Sequence, residues 1–432
     1  MLNQMPTETA AQTEQLAQAQ YPYVEPYPVD QSAEDFGEQR RKWSESRSTL
    51  IPAPGYSDGL EGFFKKTVGE FLADPEGENR VYSPLSLYMA LAMAAETADG
   101  ESREQILSLI GQEDIESLRA QAKNIWLANY ANDGATTSIM ANSLWFDNGF
   151  SYVEDTVGTI AENYYASVFT GEMGSDSMDQ AIHAWLNEQT GGLLEEQVQN
   201  LETDPSMLMA LFSTVYYRAK WKAVFDPTNN EMLPFHTPSG DTEEEFMYLR
   251  TRGNYYWSEN FSAVTLQLEN SGAMWLVLPD EGVSTDDLLA DDKLYELVYS
   301  GKMYISEEDW PDQKNVKINL RMPKFDVVSD FGLTEGLKKL GVTDIFTAGK
   351  ADLTPLVGED SRNSPAYSAA KQAARVTVDE EGVTAAAYTA MLFATSAMPP
   401  KDEVDFTLDR PFIFALSHAD GLTLFTGVVS EP

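Results

Sequence analysis

Eighteen consecutive residues, Val383 to Pro400, carry no charge in a chain of which 23% is charged. At that frequency a run of this length arises at a given start on the order of one per cent of the time. It does not read as a membrane span, because Thr384, Thr389, Thr395, Ser396 and the pair Pro399-Pro400 interrupt it. Left exposed, such a segment is an aggregation hazard. The chain must therefore bury it as a strand or keep it for a purpose. Glu380-Glu381-Gly382 leads into it and small residues follow, so the segment can pass between loop and strand.

The rest of the chain can supply a sheet to receive it. Hydrophobic residues make up 43% of the 432 positions, with 20 Phe, 20 Tyr and 8 Trp, enough for a sizeable core. The net charge of −40 repels phosphate backbones and anionic lipid, which argues against nucleic-acid and membrane-surface partners. Arg40-Arg41-Lys42 and Lys338-Lys339 are too small for a polyanion site, and Glu243-Glu244-Glu245 and Asp286-Asp287 read as solvated faces. There is no cysteine, which removes disulfides, thiol catalysis and Cys-based metal centres.

Residues 1–55 are polar, with spaced prolines as in Tyr21-Pro22-Tyr23-Val24-Glu25-Pro26, and are expected to form a flexible tail or tether. From Gly59, Phe63, Phe64, Val68 and Phe71 recur at helical spacing, and Pro84-Leu85-Ser86 opens a second helix. Residues 103–127 and 154–170 also read as helical, and Ala141–Phe146 as a buried strand. After Pro205 strands dominate: Thr214–Tyr217, the apolar run Met274–Leu278, and the alternation of Val316, Ile318, Leu320 and Met322 with polar neighbours. Pro411–Phe425 reads as a hairpin turning at Asp420-Gly421. One α+β domain over residues 56–432 fits better than several small ones. The N-terminus has no signal-peptide pattern, so the chain is either cytoplasmic or exported by a signal that this sequence lacks.

Catalytic patterns are weak. Gly55-Tyr56-Ser57-Asp58-Gly59 matches a nucleophile elbow, and His418 lies downstream, which would make Ser57 a hydrolase nucleophile. The elbow needs an apolar strand feeding into it, and Pro52-Ala53-Pro54 stands there instead. His183 with Glu188, and His236 beside carboxylates, lack metal-ligand spacing, so no metal and no cofactor is expected.

Several segments together resemble the serpin family, from about Gly59 to Pro432. Glu380-Glu381-Gly382-Val383-Thr384-Ala385-Ala386-Ala387 is similar to its hinge. Asn79-Arg80-Val81-Tyr82-Ser83-Pro84-Leu85-Ser86 resembles its shutter, and Tyr216-Tyr217-Arg218-Ala219-Lys220-Trp221 its breach strand. Met322-Pro323-Lys324-Phe325, Asp409–Phe414 and Leu424–Val429 match as well. Departures from the family pattern are Ser213 for Asn, Ala219 for Gly, Gln372 for the shutter histidine and Val383 for the hinge threonine.

The resemblance implies a large mixed central sheet with two further sheets, about nine helices and an exposed reactive-centre loop over about 380–404. It implies a metastable suicide substrate for serine proteases, with Lys324 and Glu380 together at the head of the sheet. Val383 would be the first loop residue to face the core. Family spacing from Gly382 puts the reactive bond at Ser396-Ala397, with Thr395 and Met398 as alternatives. A small residue there suits elastase-like or subtilisin-like proteases. The acidic body and the lack of a basic cofactor helix imply a monomeric bacterial serpin without heparin dependence, secreted or at the cell surface. A non-inhibitory serpin acting as a binding or chaperone module is the alternative.

Overall fold

The structure is a computed structural model that describes residues 13–432 except 29, 31, 74–76, 270–271, 303, 359–365, 384–401 and 419. The central sheet has the order Glu14–Ala17, Ala166–Gly171, Thr137–Asp147, Met209–Lys220, Gly382–Val383, Lys371–Val378, Phe325–Gly332, with Ala131–Asn132 added beside Thr137–Asp147. Thr137–Asp147 is parallel to Ala166–Gly171 and antiparallel to Met209–Lys220. The sheet is therefore mixed.

A second sheet of nine strands lies behind it. Two further sheets were expected, and the 18-residue strand Gly240–Trp257 explains the difference. Its first part pairs with Glu231–Thr237, its middle with Gln313–Pro323 and its end with Phe261–Gln267, so one continuous ladder joins both. Among the described residues twelve α-helices occur; nine of them run six residues or more, and the others are single turns.

The helix Pro84–Thr97 runs through the core. Ser83 caps it by accepting from Ser86 N, and Pro84 takes the first-turn position where its missing N–H is harmless. The helix Asp176–Gln189 lies on the outer face of the central sheet. Met178, Ile182 and Leu186 form its buried stripe against Trp145 and Phe212. It ends at Gly191 and Gly192, both with positive φ, which glycine adopts without strain.

Three local readings change. Residues 103–127 hold two helices, Gly100–Ile110 and Ile115–Asn129, split at Gly111 with φ +85°. Residues 154–170 hold the helix Glu154–Asn163 and then the strand Ala166–Gly171. The expected tail is docked from residue 13 onward. Glu14–Ala17 extends the central sheet beside Ala166–Gly171, Tyr21 packs on Trp126 at 5.1 Å, and the helix Phe36–Ser48 is bonded down through Trp43 Nε1 to Asp133 and Arg47 Nη1 to Tyr130 O. A four-residue strand and hydrogen-bonding side chains hold this segment, which is why hydrophobic periodicity misses it.

Candidate functional site

The short strand Gly382–Val383 sits at the head of the central sheet, between two longer strands. Gly382 pairs with Lys220, and Val383 pairs with Ala219 on one side and Val378 on the other. Below it, among the described residues, no ladder pair joins Met209–Lys220 to Lys371–Val378. A narrow cavity opens there, lined by Ser83, Ser86, Thr214, Val215, Ala373 and Ala374. The hydroxyls of Ser213 and Thr214 along this slot are buried and have no hydrogen-bond partner among the described residues.

The head of the slot is built from short-range chemistry. Asp379 Oδ1 accepts from Glu381 N at 2.8 Å and Gly382 N at 3.1 Å, an Asx turn that folds the chain back. A Cβ on Gly382 would lie 2.3 Å from the Ala219 carbonyl oxygen, so only glycine fits. Val383 is 1% exposed, facing the core as the resemblance implied. Trp221, also buried, donates Nε1–H to Asp379 O at 2.8 Å and its backbone N–H to Glu381 O at 3.1 Å.

Lys324 Nζ bridges Glu380 at 2.8 Å and Glu245 at 2.5 Å. Asn230 Nδ2 adds a bond to Glu380 Oε1 at 2.7 Å. Burial pushes the Glu380 carboxyl up, but the bonds from Lys324 and Asn230 outweigh it and leave it below the ordinary carboxylate value. The same two carboxylates raise the Lys324 ammonium.

At the middle of the slot Ser83, Ser86 and Gln372 meet. Gln372 accepts from Ser83 N at 2.8 Å and donates to Ser83 O at 3.0 Å, a two-point bond from one side-chain amide. Ser83 Oγ donates to Leu424 O and Ser86 Oγ to Ser213 O, tying the helix Pro84–Thr97 to both sheets. Pro84 starts that helix, and Asn79 holds the C-terminal segment through Ser430 N and Glu431 N.

Thr384–Ala387, and Thr395, Ser396, Ala397 and Met398, lie outside the described residues. Sequence spacing gave no sign of Asn230, Glu245 or Asp326. Asp326 binds Arg375 with both carboxylate oxygens, at 2.8 and 2.5 Å.

The other candidates do not assemble. Gly55–Gly59 is a turn leading into the helix Leu60–Leu72, with no strand feeding it. His418 is fully buried: its Nε2 lies 3.3 Å from Arg47 Nη2, and its Nδ1 has no partner among the described residues. Among the described residues no hydrogen bond joins Ser57 to it. Asp420, at the expected hairpin turn, is partly buried and accepts from Tyr56 OH and Asn129 Nδ2. His183 bonds Leu201 O, and His236 bonds Asp241 at the surface. Among the described residues no group of three or more His, Asp or Glu could hold a metal, and no helix is long and apolar enough to cross a membrane.

Residues 61–432 match the family model described as Serpin (serine protease inhibitor). The leukocyte elastase inhibitor of Equus caballus is 26% identical over 83% of this chain and 94% of its own length. Among solved structures, the native state of the thermophilic serpin Tengpin aligns over 98% of this chain and all of its own, with TM-score 0.75 at 24% identity. Thyroxine-binding globulin in complex with thyroxine aligns over 86% of this chain and 99% of its own, with TM-score 0.72 at 18% identity, a likeness of fold alone.

Proposed function

Because the chain belongs to the serpin family, a family of serine protease inhibitors, we propose that it is itself inhibitory and acts by inserting its loop into the slot below Val383. The observation that carries this reading is the pairing of Gly382 and Val383 between two strands that share no ladder beneath them. Continuing both registers downward would set Ala385, Ala387 and Thr389 toward the core. Thr384, Ala386 and Tyr388 would lie on the outer face, with Ala386 between Tyr216 and Arg375. The small side chains of the hinge suit a lane this narrow, and the absence of charge from Val383 to Pro400 suits burial.

Cleavage releases the loop while the protease is still held as an acyl-enzyme. Larger side chains buried at roughly 1.5–3 kcal/mol each, with about a dozen ladder bonds near 1 kcal/mol, give on the order of 15–20 kcal/mol as an upper figure. That exceeds the stability of most domains. About fifteen inserted residues at roughly 3.3 Å each carry the protease roughly 50 Å, far enough to distort it before deacylation.

We take Ser396-Ala397 as the reactive bond and elastase-like or subtilisin-like enzymes met outside the cell as the targets. The test is to mix the protein with elastase, with subtilisin and with trypsin, and look for an SDS-resistant complex. A complex with the first two and a released peptide starting at Ala397 are expected. Fast inhibition of trypsin would overturn the specificity. Clean cleavage with full protease activity would instead favour a binding module, the role that thyroxine-binding globulin has by its name.

A further inference from the structure

Between the helix Asp176–Gln189 and the sheet strand that follows, residues 190–194 cross the slot as a strap. On one side they lie tight on Met209–Lys220: a Cβ on Gly191 would come within 2.7 Å of the Tyr216 ring. On the other side Leu193 O accepts from Arg375 Nη1 at 3.3 Å. Thr190 and Leu194 are buried beneath, against Thr214 and Ala373.

Arg375 is held in turn. Its Nε and Nη2 grip the Asp326 carboxylate at 2.8 and 2.5 Å, and Thr377 Oγ1 bonds the same carboxylate at 3.1 Å. The planar guanidinium has donors left after a bidentate pair, so one side chain can serve the carboxylate and the carbonyl together. A lysine ammonium at the end of a flexible stem does not reproduce that fork. Tyr216 and Arg375, the residues the strap touches, are also the two that the continued register would set beside Ala386. The strap therefore lies across the lane three residues beyond Val383.

We infer that Arg375 is a positioning residue that holds the strap shut and sets the rate at which an extended chain can enter the slot past Ala385. The inference rests on the insertion reading above but can be tested without a protease. A synthetic peptide of residues 383–395 is incubated with the full-length protein, and uptake is followed by native gel and by the rise in thermal midpoint. Removing the Leu193 bond in Arg375→Met should speed uptake about tenfold, the factor that 1.36 kcal/mol represents. Arg375→Lys keeps the charge beside Asp326 and loses the fork, so it should behave like Arg375→Met in uptake while its thermal midpoint without peptide stays near wild type.

Equal uptake rates in wild type and Arg375→Met would overturn the inference, as would wild-type uptake in Arg375→Lys or exclusion of the peptide from all three. If uptake depends on Arg375 but wild type forms no complex with elastase or subtilisin, the latch stands and the inhibitory reading falls. If the complex forms and uptake ignores Arg375, the reverse holds.

Discussion

Replacing Val383 with Arg tests whether insertion traps the protease, and the structure sets the size of the effect. Val383 is 1% exposed and paired on both sides, with Ala219 and Val378. An arginine kept there would bury an unpaired charge, a penalty of several kcal/mol even after relaxation. The cheaper response is for Gly382–Val383 to leave the sheet. That forfeits about 2 kcal/mol of side-chain burial and about two ladder bonds near 1 kcal/mol each, roughly 4 kcal/mol in all. If that loss falls on the barrier to insertion, insertion slows on the order of a thousandfold. The proposed reactive bond is thirteen positions further along the sequence, so cleavage and deacylation should be unaffected. Titration of elastase with Val383→Arg should give cut serpin, recovered protease activity and no high-molecular-weight band on SDS gels, while Val383→Thr should remain an inhibitor. A covalent complex at wild-type yield from Val383→Arg would refute the reasoning.

The Lys324 bridge gives two further expectations. Glu380→Lys places a third charge of the wrong sign between Lys324 and Asn230, and native gels after mild heating should show more oligomer than wild type; an unchanged monomer band would count against the bridge as a brace. Because the Glu380 carboxyl is held below its ordinary 4.5, its contribution is fully present above pH 4.5 and is lost as pH falls through the lower folded value. The difference in heat-induced oligomer between wild type and Glu380→Gln should therefore be constant from pH 8 to 5 and shrink only in stronger acid. His418 behaves in the opposite sense to a paired histidine: burial first, and Arg47 second, push it from 6.5 to about 3. Its neutral form favours the fold fully above pH 6.5, and that advantage shrinks as pH falls toward 3, by up to about 5 kcal/mol. The thermal midpoint of wild type should drop between pH 7 and 5, and His418→Gln should flatten that part of the slope.

The parts of the site that were legible in the sequence are those made by neighbours in the chain. The helix start at Pro84 and the alternation through Val316–Met322 are local patterns, and each appears where its period implies. The Arg375–Asp326–Leu193 arrangement joins three segments far apart in sequence, and no spacing rule connects them. The N-terminal segment was misread for a different reason. The helix Phe36–Ser48 buries none of its residues and is fixed by hydrogen bonds from Trp43 and Arg47, so it has no apolar stripe to detect. The contacts of Asp420 were hidden by its resemblance to an ordinary turn residue, since nothing local announces Tyr56 and Asn129 as its partners.

The two-point bond of Gln372 to the Ser83 backbone has a consequence for where such a protein can work. A carboxamide neither gains nor loses a proton in water at any ordinary acidity, whereas an imidazole at the same joint would change charge near neutrality. With no thiol anywhere in the chain, that joint also offers nothing for an oxidant to convert. The bond between Gln372 and Ser83 should thus hold equally well in acidified and in neutral surroundings.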